Sequence, residues 1–183
     1  DTGFSDTVIA PPAPYPRLSA LPRQPVGDIE YAIGFYASTL VRDGGTLQIG
    51  IGALSDALCH ALALRHTDNA AYRNVLAALD PEIERHPSVI ASGGLDPLPQ
   101  GLYGCSEMIN EGFRHLVQAG VIRRKVVENE ALMKRIVDGE ASVLDLELLD
   151  RDGEFLHGAF YLGSPDFYRW LRQLDDSTPS RAP

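Results

Sequence analysis

The feature that most constrains the fold is a short apolar run that ends in glycines and is followed at once by a helical pattern. Residues 46–51 have the composition of a short buried strand, and Gly50 and Gly52 close the run. Apolar residues then recur at helical spacing over residues 54–64 and again over residues 72–79. Strands that alternate with helices in this way are typical of domains built around a parallel sheet.

The same alternation continues along the rest of the chain. Ser55 or Asp56 is expected to open the helix after the glycines. We predict an α/β fold with a mostly parallel sheet flanked by helices. The further predicted elements are helices at residues 28–41 (with Asp28 as N-cap), 110–119, 130–137 and 165–174, a strand at 121–127, and a hairpin of 142–149 with 154–162.

Proline content sets the expected domain boundaries. Residues 1–27 are rich in proline and predict an extended lead-in, residues 28–174 form the α/β domain, and residues 175–183 are expected to be a disordered tail. Residues 92–99 predict a long irregular loop. Because the chain begins with Asp1 instead of Met, we expect a processed product or a piece of a longer protein.

The charge balance excludes several classes of partner. The net charge of −9 argues against nucleic acid, because binding to phosphates requires a basic surface. The sequence has neither an apolar run of membrane-spanning length nor a recognisable signal peptide, so no membrane association is expected. Two cysteines are too few for a disulfide framework, which predicts a reducing, cytoplasmic location.

The glycine-rich run, Gln48-Ile49-Gly50-Ile51-Gly52, is the first candidate site. Glycines allow backbone N–H groups to approach a ligand, and the following helix N-terminus favours negative charge. Such a loop suits a phosphate, a carboxylate or the oxyanion of a tetrahedral intermediate. The dinucleotide fingerprint would require a glycine where Ser55 stands, so that motif is absent. A tight strand-to-helix turn without a ligand remains the other interpretation.

Glu107 is the second candidate, in the stretch that runs from Gly101 to Gly112. The sequence places it between a glycine-rich apolar run and a predicted helix start, whose N–H groups would favour a charged carboxylate. A sheltered, ionised carboxylate can act as a base, a metal ligand or a nucleophile. An ordinary glutamate in the first turn of a helix is the alternative.

The remaining reactive residues favour no other chemistry. The five histidines form no metal-binding motif, so no metal site is predicted. Cys105 is interpreted as a buried, packed thiol, although a nucleophilic role with His115 as its partner is conceivable. The basic cluster at residues 123–125 could contact the phosphates of a nucleotide-like cofactor, or it is simply a solvated strand end.

Two stretches together resemble the acetyl-CoA hydrolase/CoA-transferase family, the class I coenzyme A transferases. Asp43-Gly-Gly-Thr-Leu-Gln-Ile-Gly-Ile-Gly-Ala-Leu-Ser-Asp-Ala57 is similar to the family's glycine loop, and Tyr103-Gly-Cys-Ser-Glu-Met-Ile-Asn-Glu-Gly112 is similar to its catalytic glutamate segment. Ala119-Gly-Val-Ile122 and Gly158-Ala-Phe-Tyr-Leu-Gly-Ser-Pro-Asp-Phe-Tyr168 also fit. The order and approximate spacing agree over residues 28–172.

The resemblance implies a CoA-transferase (NagB/RpiA-like) domain, corresponding to the beginning of the second of two related domains and therefore incomplete. It implies that Glu107 is the catalytic nucleophile and forms a glutamyl-CoA thioester. Gln48, Gly50, Ile51 and Gly52 would bind the substrate and stabilise the oxyanion. Coenzyme A would be a substrate, with no tightly bound cofactor.

The implied activity is acyl-CoA transfer or hydrolysis with a short-chain acyl-CoA such as acetyl-CoA. The partners would be the acyl-CoA and a small carboxylic acid, and the chain would form a homo-oligomer or associate with the rest of a longer chain. One alternative is a CoA-binding or structural fragment without turnover. Another, a sugar-phosphate isomerase-like enzyme, is disfavoured because no lysine lies near the loops.

Overall fold

Three parallel strands form the sheet at the centre of the protein. The computed structural model describes residues 24–174, so most of the predicted lead-in and the whole predicted tail lie outside the described residues. The strands lie in the order β1-β2-β3, and both pairs are parallel. The predicted α/β fold class, with a parallel sheet flanked by helices, is confirmed. The strands are β1 (Thr46–Leu47), β2 (Tyr103–Ile109) and β3 (Leu156–Tyr161).

Helices make up most of the connections between the strands. Among residues 24–174, no helix is both long enough and apolar enough to cross a membrane. In chain order the helices are α1 (Asp28–Ser38), α2 (Ala53–Thr67), α3 (Asn69–Leu79), a 3₁₀ turn (Ile83–Arg85), α4 (Pro87–Ser92), α5 (Glu111–Gln118), α6 (Glu130–Asp138), α7 (Val143–Asp152) and α8 (Pro165–Gln173).

The predicted hairpin at residues 142–162 is wrong. Residues 143–152 form helix α7, and β3 pairs in parallel with β2. Ser142 caps the helix by accepting the N–H of Asp145, whose carboxylate accepts the N–H of Ser142 in return. Arg135 also binds the Asp145 carboxylate. The apolar alternation was misleading because α7 has no buried residue, so local capping determined its structure instead of burial.

One further predicted element and one unpredicted helix also distinguish the structure from the expectation. Residues 121–127 form only two isolated bridges, Leu102 with Ile122 and Val126 with Glu154, instead of a strand. Helix α4, which begins with Pro87 at its first position, was not predicted. Proline suits this position because its fixed φ is compatible with the first turn of a helix and its missing N–H has no partner there in any case.

Helix α1 lies within the predicted range 28–41, but Gly27, not Asp28, is its N-cap, and several of its large apolar side chains face outward. Ile29 is 73% exposed and Ile33 is 47% exposed. The buried face instead includes Gly34, where an added Cβ would lie 2.7 Å from the Ala57 carbonyl carbon of α2. Close contact between α1 and α2 therefore selects the face with the small residue.

The core formed by the described part of the chain contains two apolar clusters. The first contains sheet residues and residues from α2, α5 and α8, and the second lies between α1, α2 and α3. Tyr72 lies in the second cluster, stacks on Phe35 and hydrogen-bonds to Ser38. The most buried members of the first cluster include Leu62, Leu102, Ile109, Phe113, Leu116 and Phe167.

Arg65 of α2 is buried at the centre of these connections, with only 1% of its surface exposed. Its guanidinium donates to the main-chain oxygens of Ser38 (2.7 Å), Val41 (2.9 Å), Asp96 (2.7 Å) and Gly93 (3.3 Å). Burial lowers the pKa of Arg65 from its ordinary value. Four carbonyl acceptors compensate the buried charge, and they join the end of α1 to the loop before β2.

Replacement of Arg65 by methionine is expected to destabilise the protein strongly. The change would leave four carbonyl oxygens without this donor, and we expect the free energy of unfolding to fall by about 3 kcal/mol or more. Urea unfolding followed by circular dichroism would measure the loss.

Arg42 provides a matched control because it also donates only to main-chain oxygens, those of Ala91 and Ser92, but is exposed. Replacement of Arg42 by methionine should cost about 1 kcal/mol or less, because water can satisfy the two oxygens. Equal losses for the two variants would contradict the role given to the buried arginine.

Helix α2 begins at Ala53, earlier than the expected Ser55 or Asp56. Gly52 is the N-cap, with φ of 114° and ψ of 176°. This backbone region is essentially restricted to glycine, because a Cβ would collide with the residue's own main chain. The positive φ lets the chain turn sharply from the glycine loop into α2.

We expect Gly52→Ala to destabilise the protein by about 1–3 kcal/mol through backbone strain. Within residues 24–174, no atom apart from those of the adjacent residues lies within 4 Å of a Cβ built at Gly52, so collision with the other residues of this range would not contribute. Gly139→Ala is the control, because its surroundings are equally open but its φ of 74° and ψ of 17° lie in the milder left-handed helical region. Thermal unfolding of both variants should show a larger loss for Gly52→Ala; a larger loss for Gly139→Ala would contradict this explanation.

Candidate active site

Glu107 lies within strand β2, two residues before its last residue, and its side chain is exposed. The expectation that it lies sheltered at a helix start is wrong, because α5 begins only at Glu111 and is capped by Asn110. Within residues 24–174, no hydrogen bond or ion pair engages the Glu107 carboxylate. The carboxylate is therefore accessible to a ligand above the sheet.

The glycine loop continues the line of β1 beyond its two paired residues. The predicted strand at 46–51 pairs with β2 only at Thr46 and Leu47, but alternation of exposed and buried residues continues as far as Gly50. Ile49 is buried, at 4% exposure, whereas Gln48 and Gly50 are exposed. Gly50 and Gln48 thus face solvent on either side of a buried residue that anchors the loop.

Two side chains of the β2 segment hold this loop in place. The Ser106 hydroxyl donates to the Ile49 oxygen at 3.1 Å, and Asn110 Nδ2 donates to the Gly50 oxygen at 3.0 Å. Ser106 and Asn110 lie on either side of Glu107 in the chain. The structure therefore brings the predicted glycine loop against the strand that carries Glu107.

The residues that begin the next elements also meet at this edge. Because all three strands are parallel, their carboxyl ends lie at one edge of the sheet, where ligands commonly bind in α/β proteins. A cavity of about 660 Å³ opens there. Its lining includes Ile51 and Gly52 from the predicted site, but Gln48, Gly50 and Glu107 do not line it. Other lining residues are Asp56, Asn110, Glu111, Arg114, His115 and Ser164.

A polar cluster forms part of the cavity wall. The Glu111 carboxylate accepts a hydrogen bond from the Ser164 hydroxyl. It also forms an ion pair with Arg114, whose Nη1 lies 3.4 Å from Glu111 Oε2. Ser164 also caps α8 by accepting the Phe167 N–H at 3.1 Å. Among the described residues, Arg114 Nε is buried without a hydrogen-bond partner. The first turns of α5 and α8 are thereby held together beside the glycine loop.

Cys105 does not have the environment that the sequence suggested. It is half-buried, and its partner across the ladder is His157 of β3, not His115. His157 Nδ1 lies 3.6 Å from the Glu154 carboxylate, so its imidazole already has an acidic neighbour. The interpretation of Cys105 as a buried thiol is therefore wrong, since it is only half-buried, whereas Cys59 is buried.

The basic cluster has protein partners, which disfavours a free phosphate-binding surface. Arg123 donates to main-chain oxygens of residues 98 and 99, and Lys125 binds Asp150. Arg124 donates to Thr46 and lies over the Tyr103 ring, 5.8 Å from its centroid. The pKa of Tyr103 is raised, mainly by burial and further by the nearby Cys105 and Glu154.

The described residues contain no group of three or more His, Cys, Asp or Glu side chains placed to hold a metal ion.

Ser106 and Asn110 were not predicted as site residues from the sequence, although both carried a signal. Ser106 is a polar residue at a buried strand position, and Asn110 is a typical helix N-cap residue.

Comparison with known proteins gives one local similarity. No family model matches the chain. Over 113 residues, 62% of the chain, it is 34% identical to 4-hydroxybutyrate coenzyme A transferase from Clostridium kluyveri, of which the match covers 18%. The chain therefore spans less than a fifth of the length of this relative. The similarity supports a relation to the CoA transferases.

Proposed function

We propose that this chain carries the nucleophile of an acyl-CoA transferase, and that Glu107 forms a glutamyl-CoA thioester during the reaction. The observation that carries the proposal is an exposed Glu107 on the chain segment whose Ser106 and Asn110 side chains hydrogen-bond to the glycine loop. Local similarity to a CoA transferase supports the general activity.

The covalent steps use the carboxylate twice. The Glu107 oxygen attacks the thioester carbonyl of an acyl-CoA, and the carbon–sulfur bond breaks to give a mixed anhydride and CoA thiolate. The thiolate then attacks the Glu107 carbonyl and releases the acyl group as a free carboxylate. A second carboxylic acid repeats these steps in reverse and leaves as the new acyl-CoA.

Oxyanion stabilisation is assigned to the loop that the sequence singled out. Backbone N–H groups at Gly50, Ile51 and Gly52, with the exposed Gln48 amide, are the proposed donors. Loss of one such donor typically costs about 3 kcal/mol in the barrier. The burial of Ile49 supports this role, because it fixes the loop between two exposed donors.

The proposed substrates are a short-chain acyl-CoA, such as acetyl-CoA, and a small carboxylic acid. Coenzyme A is a substrate on this mechanism, with no resident cofactor. Hydrolysis differs only in its last step, where water attacks the glutamyl thioester in place of the acid. The name of the relative favours transfer.

Replacement of Glu107 by glutamine should abolish covalent turnover. The amide lacks the nucleophilic oxygen, so incubation with acetyl-CoA followed by borohydride or hydroxylamine should leave the peptide that contains residue 107 unmodified. The wild-type peptide should carry the reduced or hydroxamate form at Glu107, detected by mass spectrometry. Glu107→Asp should react at least about a hundredfold more slowly, because its carboxylate is withdrawn by one methylene.

Glu130→Gln is the matched control, since Glu130 is an exposed glutamate at the start of α6, outside the proposed site. It should form the adduct at the wild-type rate. A wild-type protein that binds acetyl-CoA but yields no Glu107 adduct would instead support a CoA-binding module without turnover.

A further inference from the structure

The orientation of two peptide groups in the glycine loop is set by side chains of the β2 segment. Ser106 holds the Ile49 oxygen, and Asn110 holds the Gly50 oxygen. These are consecutive peptide units, and each is fixed through its carbonyl. A regular strand would turn successive carbonyls to opposite sides, so two carbonyls drawn towards β2 mark a departure from strand geometry.

The two carbonyl contacts also determine where the linked N–H groups point. In a trans peptide the C=O and the following N–H point in opposite directions. The N–H groups of Gly50 and Ile51 are therefore turned away from Ser106 and Asn110. Within residues 24–174, neither N–H donates a hydrogen bond, which leaves two adjacent donors for a ligand.

Both holding side chains are themselves constrained. Ser106 is 8% exposed, so its hydroxyl has little competition from water for the Ile49 oxygen. Asn110 uses both ends of its amide: Oδ1 accepts the Gly112 N–H at 2.9 Å while Nδ2 holds Gly50. The start of α5 packs closely against α2, because a Cβ added at Gly112 would lie only 2.7 Å from Cys59 Sγ. This close packing restricts movement of the residues next to Asn110.

We propose that Ser106 and Asn110 are positioning residues, which hold the Gly50 and Ile51 N–H groups in the orientation that stabilises the oxyanion. This inference rests on the proposed function of Glu107. It adds that the segment carrying the nucleophile also orients the donors, so the two parts of the reaction are aligned by one short stretch of chain. Neither side chain needs to touch the substrate.

Asn110 allows the positioning role to be separated from helix capping. Aspartate and serine are both good N-caps, so Asn110→Asp and Asn110→Ser should retain the cap of α5 but lose the amide donor to Gly50. We expect each variant to form the Glu107 adduct at least about tenfold more slowly at saturating acetyl-CoA. Agreement between the charged and the neutral variant shows that added charge is not the cause.

Ser106 supplies an independent test with a conservative rescue. Ser106→Ala removes the hydroxyl that holds Ile49 and should slow adduct formation by a similar factor, whereas Ser106→Thr keeps a hydroxyl and should restore most of the rate. KM for acetyl-CoA should remain unchanged in all four variants, because an interaction made only in the transition state affects kcat. Thermal unfolding of each variant reports the folded fraction.

The outcomes distinguish this inference from the proposed function. Failure of the wild type to form any Glu107 adduct overturns both. Wild-type adduct formation with unchanged rates in Asn110→Asp, Asn110→Ser and Ser106→Ala overturns only the positioning role. Losses that follow the folded fraction, without rescue by Ser106→Thr, overturn it in favour of a purely structural role.

Discussion

A single buried cation joins the parts of this protein that are far apart in sequence. Arg65 lies on α2, yet its four hydrogen bonds reach the end of α1 and the loop that leads into β2. Its partners are all main-chain oxygens, those of Ser38, Val41, Gly93 and Asp96. The path of the backbone before the sheet therefore depends on one guanidinium.

Asp43 extends this arrangement to the start of β2. Its carboxylate accepts the N–H groups of Gln100 and Gly101 at 2.9–3.1 Å, and the Gly44 N–H donates to the Gly101 oxygen. These bonds fix where β2 enters the sheet next to β1. Asp43 and Gly44, at the start of the Asp43–Ala57 stretch, thus help to set the register of β1 and β2. Gly50 and Gly52, further along the same stretch, shape the candidate site.

Sequence reasoning succeeded where the physical signal was local and strong. The helices predicted at 110–119, 130–137 and 165–174 and the parallel α/β class could all be predicted from such signals. It failed where tertiary packing decided the outcome. The outward face of α1 depends on how closely α2 approaches Gly34, and this distance has no signature in periodicity.

The candidate site shows the same division. Spacing and glycine content identified the loop at 48–52 and Glu107 as features of interest, but not how they are joined. The link depends on Ser106 and Asn110, whose bonds to main-chain oxygens are set by the position of one chain segment against another. Side chains that bind a distant backbone leave no repeating pattern in the sequence, so only coordinates reveal them.

The exposure of Glu107 has a consequence for the fate of a covalent intermediate. On the proposed mechanism, a thioester at this position lies on an open face of the sheet. Water and a carboxylic acid would then compete for the same carbonyl, and water is present at far higher concentration. On that mechanism, whether the thioester is transferred to the acid or lost to hydrolysis would be governed by what shields that face from water, and not by the residues that carry out the attack.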